Sequence, residues 1–202
     1  MKIAVDIDDT LNIVERAELA GAYIARKNLP FRIADKYSNM FVNVYDWELS
    51  DVLAFMRDGG VSAFTEAKAR TGAREALSRW KEAGHEIIIL TARQKDWFGN
   101  PVTVSRDWLE KRKIPYDAIV AERWDKGLYC KEHGISVLID DNPDILREAE
   151  TLGVTGVLAV GRHNVSRVSE FEYYGENWRQ IEAAVMRIVA AKETLHRETE
   201  QS

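Results

Sequence analysis

The chain begins Met1-Lys2-Ile3-Ala4-Val5-Asp6-Ile7-Asp8-Asp9-Thr10, and no other stretch narrows the possible folds as far. Ile3, Ala4, Val5 and Ile7 form an apolar run that reads as a strand over 2–7 covered on both faces. Strands of that kind belong to parallel sheets with helices on each side. This one runs straight into three carboxylates. Asp6 and Asp8 are two residues apart, so at strand spacing they point the same way, and their repulsion needs an offset. A divalent cation such as Mg²⁺, which takes oxygen ligands, is the simplest one. The alternative is an acidic turn in which Asp9 or Thr10 caps the next helix.

The same device recurs twice. Glu86-Ile87-Ile88-Ile89-Leu90 is a second apolar strand and ends at Thr91-Ala92-Arg93. Ile135-Ser136-Val137-Leu138-Ile139 is another and ends at Asp140-Asp141-Asn142-Pro143-Asp144. Open parallel sheets bind ligands beyond the carboxyl ends of their strands. Independent helix caps account for any one of these three segments, and less well for all three together.

Between and after these strands the pattern alternates. Helices are expected over 13–27 with Asn12 as N-cap, near 35–42 and 50–57, and over 72–83, 102–113, 126–133, 143–152 and 176–195. Further strands are expected at 118–121 and 156–160, and 94–101 reads as a loop. Strand and helix in alternation imply right-handed crossovers and an α/β, doubly wound parallel sheet. About eighty residues separate the first two strands, far more than one crossover helix needs. The surplus predicts a helical cap over 11–71, inserted after the first strand at the end that carries the carboxylates. The core then comprises 1–10 and 72–202.

Composition excludes several classes. The net charge of −5 gives no support for binding a nucleic-acid polymer, and no apolar run approaches a membrane span. Cys130 is the sole cysteine, so no internal disulfide and no cysteine-built metal site is expected, and a cytoplasmic location is the default reading. Trp80, Trp108 and Trp178 lie on amphipathic helices and are expected in the core. The four histidines show no metal-ligand spacing and receive no role.

Taken together, these residues resemble the haloacid-dehalogenase-like hydrolases. Asp6-Ile7-Asp8-Asp9-Thr10 is similar to their first motif, Asp-x-Asp-x-Thr, and Leu90-Thr91-Ala92-Arg93 to their second. Lys126 stands where their motif-three lysine does, and Asp140-Asp141 resembles the fourth motif. Within that superfamily the chain looks most like the cytosolic 5′(3′)-deoxyribonucleotidase (type C) group and its bacterial relatives, through the helical insertion, Tyr45-Asp46-Trp47, and Asp125-Lys126-Gly127 followed by Ile139-Asp140-Asp141-Asn142-Pro143.

The resemblance implies a Mg²⁺-dependent phosphomonoesterase with a Rossmann-like core, acting on a (deoxy)nucleoside monophosphate through an aspartyl-phosphate. Asp6 would be the nucleophile, and Asp8 the acid and base, its backbone carbonyl also reaching the metal. Asp141 would be the second carboxylate ligand, with Asp140 beside it as ligand or partner. Thr91 and the Ala92 N–H would hold phosphate oxygens, and Lys126 would balance charge. Lys131 is an alternative to Lys126, one and a half helical turns further on. Arg93 could touch phosphate or base, or face solvent. Asp144 could hold a water on the metal or simply favour its helix N-terminus. Tyr45 and Trp47, with Tyr37 and Phe41, could stack a nucleobase or fill the small core of the cap. A sugar-phosphate phosphatase or a phosphomutase would share the mechanism. A homo-oligomer paired through the C-terminal helix is compatible with the sequence.

Overall fold

The computed structural model of the chain describes the backbone of residues 1–29 and 32–200 and the side chains of 1–29 and 32–194. In chain order the elements are β1 (Lys2–Val5), β2 (Asn12–Ile13), α1 (Arg16–Lys27), α2 (Phe41–Tyr45), α3 (Leu49–Phe55), α4 (Ser62–Thr65), β3 (Lys68–Ala69), α5 (Ala73–Glu82), β4 (Glu86–Leu90) and α6 (Lys95–Phe98). They continue with α7 (Pro101–Lys111), β5 (Ala118–Val120), α8 (Lys126–Glu132), β6 (Val137–Asp140), α9 (Pro143–Thr151), β7 (Thr155–Ala159), β8 (Tyr174–Gly175) and α10 (Trp178–Glu200). Six strands form one sheet in the order β5-β4-β1-β6-β7-β8, every neighbouring pair parallel. β1 lies near its middle, paired Ile3 to Ile87 on one side and Ile3 to Val137 on the other.

Alternation along β1 explains the layers. Ile3 and Val5 pack with Leu77 and Trp80 of α5, Trp108 of α7 and Trp178 of α10. Ala4 faces the opposite side, with Leu138, Leu158, and Leu146 and Ala149 of α9. Both faces are therefore dry, as the unbroken apolar strands require. Trp80, Trp108 and Trp178 are all buried. Cys130 is buried too, and burial in this apolar layer pushes its thiol up to about 12, which leaves it an inert core residue.

The residues between β1 and α5 build a second, smaller core. Val14, Ile24, Phe41, Tyr45, Phe55 and Phe64 are buried together there. The chain leaves and re-enters the sheet domain through an antiparallel two-stranded ribbon, Asn12 opposite Ala69 and Ile13 opposite Lys68. That ribbon corrects the expected first helix: α1 begins at Arg16, and Asn12 is a strand residue rather than its N-cap. The first strand is also shorter than expected. The Ile7 carbonyl accepts from the N–H groups of Thr10, Leu11 and Asn12 (3.3, 2.8 and 3.0 Å), so the turn starts before Ile7 can join the ladder.

The helix expected near 35–42 is largely turn. Asp35 and Ser38 accept hydrogen bonds from the N–H groups of Tyr37 and Met40 (3.0 and 3.1 Å), offering the backbone a local alternative to helix. Helix forms only from Phe41. The loop expected over 94–101 contains α6, and Asn100 caps α7 by accepting from Thr103 N–H at 3.0 Å. β8 has two residues, too few for a pattern to register. Among the described residues no helix is long and apolar enough to cross a membrane.

One close approach positions the site. A Cβ placed on Gly127 would lie 2.8 Å from Ala149 Cα, so α8, which begins at Lys126, can press against α9 only without a side chain there. Gly127→Ala is expected to destabilise the fold by about 1–3 kcal/mol, the range for overpacking. Urea unfolding with an unchanged midpoint would show that the two helices are free to separate.

Candidate active site

The carboxyl ends of β1, β4 and β6 converge. Asp6 continues the ladder past β1, its N–H donating to Ile139 O at 3.0 Å. Asp140 is the last residue of β6, and Asp141 follows it. Each of Asp6, Asp140 and Asp141 offers a carboxylate oxygen within 4.8 Å of the others, and all three are buried. Lys126 lies between two of them, its Nζ 2.6 Å from Asp6 Oδ1 and 2.6 Å from Asp140 Oδ2. Burial alone would lower the lysine, but Asp140 and Asp6 outweigh it and hold the ammonium above its ordinary value. Burial raises Asp6 well above the usual carboxylate range against the pull of Lys126, and Asp140, Asp141 and Asp8 push the same way. Asp141 is raised by burial and by Asp140 and Asp9, with His163 opposing.

Asp8 is held differently. Arg93 grips it with both arms of its fork, Nε to Oδ2 at 2.8 Å and Nη2 to Oδ1 at 2.7 Å. Asn12 Nδ2 donates to Oδ1 at 2.8 Å. Burial opposes ionisation of Asp8, yet Arg93 and Asn12 prevail and keep the carboxyl below its usual range. The third carboxylate of the turn, Asp9, sits in the left-handed region at φ 63° and is ion-paired with Arg16. Its left-handed bend turns the chain from β1 into the ribbon.

Thr91 directly follows β4 and is buried, and its Oγ1 accepts from Arg93 N–H at 3.3 Å. Thr91, Ala92 and Arg93 line one cavity together with Asp6, Asp8, Lys126, Asp140 and Asp141. The structure thus brings together eight of the ten residues singled out from the sequence. Tyr45 and Trp47 are the exceptions: of the two readings open for them, the structure has both packed in the small core of the insertion. Tyr45 is buried in the small core, its hydroxyl donating to Ala17 O. Trp47 stacks on it with ring centroids 5.0 Å apart and meets the Phe55 ring at 5.7 Å. Both line a different cavity. Aromatic mass was needed to give a four-helix insertion a core at all. Arg93 is in the cavity wall, but its guanidinium is spent on Asp8, Ser105 Oγ (3.3 Å) and the Phe98 face. Lys131 is exposed, and Asp144 is exposed and pairs with Arg167 at 2.6 Å, away from the carboxylate cluster.

Three neighbours of Asp141 went unread. His163 Nε2 lies 2.8 Å from Asp141 Oδ2, although the spacing of the histidines gave none of them a role. Asn39 reaches across from the insertion, Nδ2 to the same oxygen at 3.3 Å. Asn164 Nδ2 donates to the Asp141 carbonyl at 2.6 Å and to Ala159 O at 3.0 Å. Thr10 Oγ1 adds a long contact to Oδ1, 3.5 Å. Burial lowers His163, but Asp141 beside it raises it overall. A signal for His163 and Asn164 existed: β7 is another apolar strand ending in polar residues, Gly161-Arg162-His163-Asn164. Asn39 gave none, because a loop crossing from one core to the other has no period.

The donor set fits a hard divalent cation. Five carboxylates, Asp6, Asp8, Asp9, Asp140 and Asp141, face three permanent cations in ion-pair contact, Lys126, Arg93 and Arg16. The uncompensated charge falls on Asp6, Asp140 and Asp141, which are all oxygen donors.

No protein-family model matches the sequence, and neither does any curated protein. Solved structures do match. A protein described as a predicted phosphatase from Clostridium acetobutylicum superposes with a TM-score of 0.68 at 15% identity, covering 92% of this chain and 98% of its own. A HAD family hydrolase from Deinococcus radiodurans, solved with bound phosphate and sodium, gives 0.64 at 16% identity over 92% and 95%. A haloacid dehalogenase-like family hydrolase from Streptococcus pneumoniae gives 0.61 at 13% over 90% and 96%. The fold is that of the haloacid-dehalogenase-like hydrolases.

The contact between His163 and Asp141 predicts an effect on cation affinity. His163→Ala is expected to weaken Mg²⁺ binding by about 10–100-fold in calorimetric titration, the usual effect of removing a partner of a metal-binding carboxylate. Unchanged affinity would make the contact a packing feature.

Proposed function

We propose that the protein is a Mg²⁺-dependent phosphomonoesterase that hydrolyses a nucleoside or deoxynucleoside monophosphate through an aspartyl-phosphate on Asp6. The observation that carries the reading is the buried Lys126 bridging Asp6 and Asp140, with Asp141 close enough to complete a cation site. A carboxylate needs such a neighbour to approach a phosphoryl group that is itself negative. Of the solved structures of like fold, one is named as a predicted phosphatase and another, a HAD family hydrolase, holds bound phosphate, which supports the same reading.

In the first step an Asp6 oxygen attacks phosphorus and the ester bond to the leaving alcohol breaks. Asp8, on the same side of the turn, gives the leaving oxygen its proton. The charge of the bound phosphoryl group raises the proton affinity of Asp8, offsetting the hold of Arg93. In the second step Asp8 takes a proton from the water that attacks phosphorus, and the bond from Asp6 to phosphorus breaks, releasing phosphate and restoring the Asp6 carboxylate. The clamped, ionised form of Asp8 is already set for that role. Thr91 and the Ala92 N–H would bind the phosphoryl oxygens, and Lys126 would stay charged throughout. Asp6, Asp140 and Asp141, with the Asp8 carbonyl that the resemblance adds, would hold Mg²⁺, which when bound supplies Lewis-acid neutralisation of those oxygens. The largely apolar wall above this floor supports a nucleoside over a sugar as the leaving group.

Asp6→Asn should keep its fold and lose at least about 10³-fold in kcat for phosphate release. EDTA should stop the wild type, and Mg²⁺ should restore it. Steady turnover by the Asn variant would reject the covalent route, and full activity in chelator would reject the metal.

A further inference from the structure

We infer that the leaving group is read by the sheet domain rather than the cap, through Trp124, and that it carries an uncharged aromatic or heteroaromatic ring. The inference rests on the phosphomonoesterase reading and deepens it.

The charged side chains that line the cavity are already engaged. Lys126 is paired with Asp6 and Asp140, Arg93 with Asp8, and Arg16 with Asp9. Asn39 donates to Asp141, and the Asn142 side chain accepts from the N–H groups of Asp144 and Ile145. Among the described residues that line the cavity every cation is already ion-paired, and beyond the amides of Asn39 and Asn142 the lining offers a polyol few uncharged polar side chains. Above the floor the wall is Phe41 and Phe64 from the insertion and Trp97 from α6. A charged or hydroxyl-rich group placed there would lose water and gain no partner.

The mouth is apolar as well. Met40, Leu49 and Trp124 all line the cavity while being 40%, 59% and 49% exposed. Single exposed apolar residues need no explanation, but three around one opening form a rim. Of these Trp124 alone offers an aromatic plane, and it has no ring partner among the described residues. Its backbone is fixed. Glu122 N–H donates to Arg93 O and Arg123 N–H to Thr91 O, both at 3.1 Å, and Lys95 N–H donates to the Glu122 carboxylate at 3.1 Å. Glu122 takes the left-handed conformation, φ 61°, to make this turn. The loop that carries Trp124 is thus tied to the very residues expected to hold the phosphate, and Lys126 follows two positions later. An exposed indole on a pinned loop, at a constant distance from the phosphate site, is a ruler with an aromatic face.

The experiment is a set of kcat/KM values for phosphate release with Mg²⁺, on wild type, Trp124→Ala and Trp124→Phe. The substrates are nucleoside monophosphates, phenyl phosphate, pyridoxal phosphate, glucose 6-phosphate, a nucleoside diphosphate and acetyl phosphate. Wild type should prefer the ring-bearing monoesters, and the order among the first three identifies the source of the ring. Trp124→Ala should raise KM for the preferred ring-bearing substrate about tenfold more than for acetyl phosphate, whose leaving group is too short to reach the rim, and Trp124→Phe should restore most of that difference. A wild-type preference for glucose 6-phosphate or the diphosphate overturns the ligand class. Equal effects of Trp124→Ala on long and short substrates overturn the role of the residue. Release from none of them rejects the phosphomonoesterase reading and this inference with it.

Discussion

Among the described residues Lys126 is the one cation wholly enclosed by the carboxylate cluster, and the site is organised around it. Its ammonium sits 2.6 Å from both Asp6 and Asp140, with the side chain 2% exposed. Three buried carboxylates cannot share so small a space without it. Burial raises the proton affinity of Asp6, Lys126 opposes that rise, and a neutral Asp6 is no nucleophile. Breaking such a buried pair by removing one partner typically costs about 3–5 kcal/mol, because the survivor stays buried and unpaired. The position of Lys126 is in turn set by backbone. It opens α8, whose second residue is the glycine that lets the helix settle against α9. A steric detail of helix packing therefore governs an electrostatic detail of the site.

Asp141 carries the same logic outward. Its oxygens are met by Thr10 from the β1 turn, His163 from the turn after β7 and Asn39 from the insertion. Sheet, turn and cap thus share one carboxylate. The insertion is docked at the carboxyl ends of the strands by a polar contact to a residue of the charged floor as well as by apolar packing.

The strands could be read from the chain, and so could the floor of the site, for one physical reason. A strand buried on both faces has no polar residues, so the first polar residues after it mark its end, and in a parallel sheet those ends lie together. Asp6, Thr91, Asp140 and Asp141 followed from that alone. The insertion could not be read so well. Its helices are short, and Asp35 and Ser38 turn the backbone where the apolar spacing suggested helix. Its aromatics were conspicuous, yet composition does not say which way a ring points. Tyr45 and Trp47 face their own core, while Trp124, in a loop with no pattern, faces the cavity. Contacts such as Asn39 to Asp141, separated by 102 positions, lie beyond any local rule.

Floor and wall depend on each other. A charged floor open to water would be screened, and its ion pairs would do little to a phosphoryl group. The apolar surfaces of Phe41, Phe64 and Trp97 lower the dielectric above it and strengthen each of those interactions. The same surfaces cannot bind a second charge, so the feature that sharpens the chemistry also restricts what may leave. In that view specificity needs no added polar reader. It follows from excluding water over a floor whose cations are all engaged, and it leaves to one fixed aromatic face at the mouth the task of holding the part of the substrate that does not react.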